Sequence, residues 1–195
     1  MRISGGSAGG RIIKVPKSLD LRPTEERVRQ ALFNIIAPAI VGAEFLDLFC
    51  GTGAIGLEAL SRGAAKVVFG DKDPACLRCA DEHAQLFGFL SGSWETCRGD
   101  FAVCAKRLAG QGSSFDFIFL DPPYGTGEAL AALRVADEIA LLRKNGRARI
   151  ILEHERKLEV PEHAGGLKRL RQYSYGNTVL SFYAPLSEED DADRD

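Results

Sequence analysis

Alternation of short apolar segments with helical stretches predicts an α/β fold: a doubly wound, seven-stranded, mostly parallel sheet preceded by an N-terminal hairpin and helix. Three observations support this. Apolar runs near residues 45–49, 66–71, 94–98, 115–120 and 148–154 are separated by helical patterns, as strand-helix-strand units require. Residues 167–174 and 179–184 flank Gly176-Asn177 and read as a hairpin. The residues able to do chemistry lie just past the carboxyl ends of the strands, where open sheets of this kind bind ligands.

The elements follow in order. Ser7-Ala8-Gly9-Gly10 reads as a hairpin loop; it is no P-loop, since no Gly-Lys-Ser/Thr follows. Thr24 is a candidate N-cap for the next helix, Glu25 and Glu26 suit its first turn, and Val28, Leu32 and Ile35 recur at i, i+4 and i+7. That apolar face packs on the domain and leaves Arg27 or Arg29 free. The strand at 45–49 runs into a glycine-rich turn and the helix at 54–62. The strand at 66–70 ends at Asp71, and Pro74 suits the first position of the helix at 74–87. The strand at 94–98 is closed by Gly99-Asp100-Phe101, and the run at 115–120 leads directly into Asp121-Pro122-Pro123-Tyr124.

This last tetrapeptide suits the exocyclic amine of a planar base. Such an amine is a poor nucleophile, because its lone pair is delocalised into the ring. The Asp121 carboxylate accepting one of its hydrogens, with the Pro122 carbonyl held by the Pro122-Pro123 geometry, localises that pair. Tyr124 offers a flat face for a base taken out of its stack. Upstream, Phe45-Leu46-Asp47-Leu48-Phe49-Cys50-Gly51-Thr52-Gly53-Ala54-Ile55-Gly56 reads as a nucleotide-binding strand, turn and helix, in which Gly51 and Gly53 allow close backbone approach and the helix amides face the ligand. The run also contains G-x-G-x-x-G, but Asp47 would face a pyrophosphate unfavourably and suits a ligand bearing an ammonium group. Asp47 with the glycine turn, followed by D-P-P-Y on a later strand, resembles the S-adenosylmethionine-dependent amino methyltransferases, whose cofactor has that ammonium.

Asp71 lies twenty residues beyond Gly51, where an acid at the tip of the second strand bonds both ribose hydroxyls. Asp73 either touches the adenosine side or caps the helix begun by Pro74. In the resembled family an acid placed as Asp100 is, beside Phe101, accepts the adenine amino group; the same residue suits a turn.

At 195 residues and 45% hydrophobic content the chain suits one domain, expected to span 1–185 with residues 1–40 as its extension. No apolar stretch reaches the ~18 residues that span a bilayer and the N-terminus lacks a secretory core, so a cytoplasmic protein is expected. Five cysteines point to reduced thiols. Cys76 and Cys79 form C-x-x-C on a helix without a second pair, so no metal is expected, and Cys50 reads as a packing residue. The net charge of −2 hides an acidic tail: residues 186–195 hold six acids and one Arg, leaving 24 basic and 21 acidic side chains, +3, in the body. The tail reads as disordered.

Leu21-Arg22-Pro23-Thr24-Glu25-Glu26-Arg27-Val28-Arg29-Gln30-Ala31-Leu32-Phe33-Asn34 resembles the segment preceding the cofactor strand in the small-subunit (16S) ribosomal RNA guanine-N2 methyltransferases, the RsmD type. The similarity runs from Gly5-Gly6 and Arg11 through the glycine turn and D-P-P-Y to Tyr175-Gly176-Asn177-Thr178. It implies a class I, Rossmann-like sheet with one antiparallel strand, S-adenosylmethionine as cofactor, and methylation of one guanine 2-amino group in the RNA of an assembled or assembling small subunit. Arg11, Arg22, Arg27 and Arg29 are then the candidate phosphate contacts. The chain departs at Ser7-Ala8-Gly9-Gly10, where many members have a basic and aromatic pair, so one RNA contact of the family is unmatched. Alternatives at the same motifs are another RNA or DNA base amine, a protein glutamine amide, a nicotinamide-dependent oxidoreductase on Gly51 to Gly56, and an RNA-binding assembly factor without catalysis.

Overall fold

Two inward-facing isoleucines organise the N-terminus. Ile3 donates its N–H to the Arg11 carbonyl at 2.9 Å and accepts from Gly10 at 2.8 Å, an antiparallel bridge joins Arg2 to Ile12, and Ile3 and Ile13 are fully buried. This is the expected hairpin. The computed structural model describes residues 1–15, 25–139 and 141–186; Arg22, Thr24 and residues 187–195 of the expected disordered tail lie outside the described residues.

Helix α1 (Glu26–Ile40) starts one residue later than a Thr24 cap requires, with Glu25 at the N-cap position and no side-chain cap bond. Its buried face is Val28, Leu32, Phe33, Ile36 and Ile40. Ile35, expected inward, is half-buried. The repeat of four from Val28 to Ile40 gives the inward seat to Ile36.

Two compact units divide the chain, Met1–Cys104 and Ala105–Asp195. In the first, β1 (Glu44–Asp47), β2 (Lys66–Asp71) and β3 (Trp94–Arg98) are parallel, with Asp47 opposite Phe69 and Asp71 opposite Arg98. Helix α2 (Ala54–Ser61) follows β1 and α3 (Pro74–Phe87) follows β2. Gly56 lets α2 lie on the sheet, since a Cβ there would come within 2.3 Å of the Phe69 ring. Asp73 caps α3 by accepting from Ala75 N–H at 2.8 Å, and Gly88, at φ 78°, ends it. Helix α4 (Phe101–Gly110) begins in this unit.

The second unit holds β4 (Phe117–Leu120), α5 (Glu128–Glu138), β5 (Arg149–Glu155), β6 (His163–Ala164), β7 (Leu167–Tyr175) and β8 (Thr178–Pro185). Strands β4 and β5 are parallel, β8 runs antiparallel between β5 and β7, and β6 is antiparallel to β7. Ile150, Ile151 and Leu152 are fully buried, as a continuous apolar strand covered on both faces requires. The described residues thus hold eight strands where seven were expected. The addition is β6, two residues too short to leave a sequence signal. Among the described residues no helix is long and apolar enough to cross a membrane.

Candidate active site

In the first unit the parallel strands deliver Asp47, the glycine turn, Asp71 and Asp100 to the same sheet end. Gly51 and Gly53 adopt positive φ, 52° and 77°, and a Cβ on Gly53 would lie 2.6 Å from Ala80 Cβ. The turn therefore needs glycine for conformation and for space. Asp71 braces it: one carboxylate oxygen accepts from Gly51 N–H at 2.9 Å and the other from Asp73 N–H at 2.9 Å. Each oxygen keeps a second acceptor direction, and the side chain is half-exposed, so a ribose diol fits this donor and acceptor set.

Asp47 is buried, and its Oδ2 accepts from Gly56 N–H at 3.1 Å. Helix α2 begins from Gly53, which has no side chain to cap it. The carboxylate expected to face an ammonium group is thus first the cap of α2, supplied from the strand before it. Asp73 is engaged as the cap of α3, the second of its two expected roles. Asp100 caps α4 through Val103 N–H at 2.8 Å. Phe101 packs against Phe49, ring centroids 5.6 Å apart, and both rings are half-exposed. Phe49 was missed in the sequence, although an aromatic residue two positions before Gly51 was the available signal.

In the second unit the four residues of β4 are all buried, and Asp121 follows immediately. Pro122 is buried, Pro123 exposed, and Asp121 and Tyr124 half-exposed. Thr126 Oγ1 donates to the Pro123 carbonyl at 2.8 Å, closing the turn ahead of α5. The Tyr124 hydroxyl lies 3.2 Å from Thr178 Oγ1 at the start of β8. A polar chain across β5, β7 and β8 carries no signal in the sequence: exposed Gln172 donates from Nε2 to the buried Ser181 Oγ at 2.9 Å, which is 2.8 Å from Nε2 of buried His154, while His154 Nδ1 is 2.9 Å from the Glu155 carbonyl. Because Nδ1 faces an acceptor, it bears the proton and Nε2 accepts from Ser181. Burial lowers the His154 pKa below its usual 6.5.

Two of the candidate RNA-binding arginines are exposed. Arg27 projects from α1; Arg11 donates to the Leu86 carbonyl at 2.8 Å and lies 5.6 Å above the Phe87 ring. Arg29, expected among the phosphate contacts, is buried instead. It is 1% exposed, donates to the Arg2 carbonyl and pairs with Glu58 at 3.4 Å. An unsolvated guanidinium inside the unit is not presented to phosphate. Arg22 lies outside the described residues.

All five cysteines are buried free thiols. Burial, with Asp71 and Asp73 nearby, pushes Cys76 up to about 12, and burial likewise raises Cys50 and Cys79. These thiols are not nucleophiles at neutral pH. Among the described residues no group of three or more His, Cys, Asp or Glu is placed to hold a metal ion.

A family model described as conserved hypothetical protein 95 matches residues 1–184. The chain belongs to that family. Relatives of this member of the conserved hypothetical protein 95 family include Ribosomal RNA small subunit methyltransferase D of Escherichia coli K12, 34% identical over 198 residues and covering 99% of this chain and 94% of that one. The protein of the same name from Haemophilus influenzae is 34% identical over 163 residues, 84% of each chain. A solved Escherichia coli structure named as a candidate methyltransferase, yhhF, superposes with TM-score 0.81 at 31% identity, over 96% of this chain and 99% of that one. The fold of this family member is the Rossmann-like α/β fold of class I methyltransferases.

Proposed function

We propose that the chain transfers a methyl group from S-adenosylmethionine to the 2-amino group of a guanine in small-subunit (16S) ribosomal RNA, acting in the cytoplasm on an assembled or assembling subunit. The observation that supports this most is the Asp121-Pro122-Pro123-Tyr124 turn, half-exposed at the end of a buried strand. The relatives named for small-subunit RNA methylation add the substrate.

The cofactor, when bound, supplies an electrophilic methyl group on a sulfonium. Asp71 would hold the ribose hydroxyls, the exposed side of the Phe49–Phe101 pair would offer an apolar surface to the adenine, Asp100 would accept from its amine, and Asp47 holds the start of α2 so that the turn keeps its shape. On the substrate side Asp121 accepts a hydrogen of the guanine amine, localises its lone pair and takes up the proton released on methylation. The Pro122 carbonyl holds the second hydrogen, and Tyr124 stacks the base. Most of the acceleration comes from holding the amine in position. The reading is tested with Asp121→Ala: cofactor binding by calorimetry stays at the wild-type level while methyl transfer is lost. A variant that methylates at the wild-type rate removes Asp121 from the chemistry.

A further inference from the structure

Glu58 lies in the middle of α2 with its side chain fully buried. A buried carboxylate is costly unless its oxygens are satisfied, and here three elements satisfy them. Ser4 donates from its backbone N–H at 2.8 Å and from its hydroxyl at 2.7 Å. Arg62 donates from Nε at 2.8 Å, and Arg29 pairs at 3.4 Å. Arg62 in turn reaches Ser4 Oγ at 3.0 Å and lies 5.3 Å over the Phe33 ring of α1. One carboxylate therefore joins the N-terminal hairpin, α1 and the helix that leaves the cofactor turn.

The hairpin also closes over the C-terminal end of α2. Ser7 N–H donates to the Ser61 carbonyl at 2.7 Å, Ala8 N–H donates to Ser61 Oγ at 2.9 Å, and Ser61 Oγ donates to the Gly5 carbonyl at 2.6 Å. A Cβ on Gly6, at φ 78°, would lie 1.8 Å from the Ser61 carbonyl oxygen. Backbone thus meets backbone with no room for a side chain. Among the described residues the exposed cations of this region, Arg2, Arg11, Lys14 and Arg27, all stand on the hairpin or α1.

From this geometry we infer that Glu58 is a positioning residue for RNA: it fixes the cation-bearing hairpin and α1 in register with α2, whose start forms the cofactor turn. This rests on the proposed RNA methyltransferase activity. Glu58 touches neither cofactor nor RNA, and its loss changes how the RNA is held rather than how the cofactor binds.

The test compares Glu58→Gln with Gly6→Ala, which disturbs the hairpin seat while leaving every charged group in place. Both variants are assayed on small subunits that lack the modification, with cofactor binding measured by calorimetry. The expected result is a KM for subunits raised about tenfold, as loss of one or more phosphate contacts would give, with a shallower salt dependence and an unchanged cofactor Kd. Hydrogen exchange then shows faster amide exchange at Ile3 and Ile13. If Glu58→Gln does not fold, Gly6→Ala decides. A folded variant with wild-type KM and salt dependence overturns the inference. If the wild-type protein itself methylates no small subunit, the proposed activity is what has failed, and direct binding of small-subunit RNA becomes the readout: equal affinity of Gly6→Ala and wild type then overturns the role of Glu58.

Discussion

The hydroxyl of Tyr124 lies 3.2 Å from Oγ1 of Thr178, tying the end of the D-P-P-Y turn to the first residue of β8. Thr178 is buried, so this bond fixes the phenol from its polar end and leaves the half-exposed ring face for a base. Tyr124→Phe should therefore be mild, close to the loss of one neutral hydrogen bond of about 1 kcal/mol. Tyr124→Ala should lose stacking of about 1 to 3 kcal/mol per base. Steady-state kinetics on the RNA substrate separates the two; equal effects would mean that the hydroxyl rather than the ring matters.

Asp71→Ala should weaken S-adenosylmethionine binding by roughly 1.5 to 3 kcal/mol, the range of charge-assisted hydrogen bonds. Asp71→Asn should lose less, because its remaining carbonyl oxygen can still accept from Gly51 or Asp73, which now hold the two carboxylate oxygens. Calorimetry measures both. An Asp71→Ala variant that binds as tightly as wild type would contradict the ribose assignment.

Arg27 and Arg29, two residues apart, should behave as opposites. Neutralising exposed Arg27 should leave stability unchanged and flatten the salt dependence of RNA binding by up to about one unit. Replacing Arg29 removes one of the two cations paired with buried Glu58, leaving Arg62 and Ser4 on the carboxylate, and should cost roughly 1.5 to 3 kcal/mol of stability, the range of a hydrogen bond to a charged group. Denaturant unfolding and a salt titration of binding check the pair. A destabilised Arg27 variant or a stable Arg29 variant would reverse the assignment.

His154 sets an acid limit. Its pKa is lowered in the folded chain, so below about 6.5, its ordinary value, the unfolded chain takes up a proton that the folded chain resists. Its contribution to stability is complete above that pH and is lost progressively as pH falls toward the lower folded value. His154→Gln should remove this part of the pH dependence. Denaturant midpoints at pH 7.5 and about 5.5 test it, and an identical fall in both proteins would assign the acid sensitivity elsewhere.

The legible features were those whose cause is local. A glycine turn after an apolar run, a proline at the start of α3 and a hairpin at Gly176 each declare themselves within a few residues. The position of Asp71 at the tip of β2 beside the glycine turn was legible because its distance from Gly51 follows from one strand-helix-strand passage. Arg29 was not: two neighbouring arginines on α1 look alike until Glu58, twenty-nine positions later, is folded against one of them. The bond from Gly56 to Asp47 was not legible either, because it depends on how the chain reverses through the turn. The Gln172, Ser181 and His154 chain joins three strands, and no spacing in the sequence encodes such a contact.

The most direct measurement of the central proposal incubates the protein and tritiated S-adenosylmethionine with small ribosomal subunits lacking the modification, then maps the labelled nucleotide. Label on the 2-amino group of a single guanine of the 16S RNA is the expected result, absent with Asp121→Ala. Label on another RNA base, a DNA base or a protein amide, or no transfer by the wild-type protein, would contradict it.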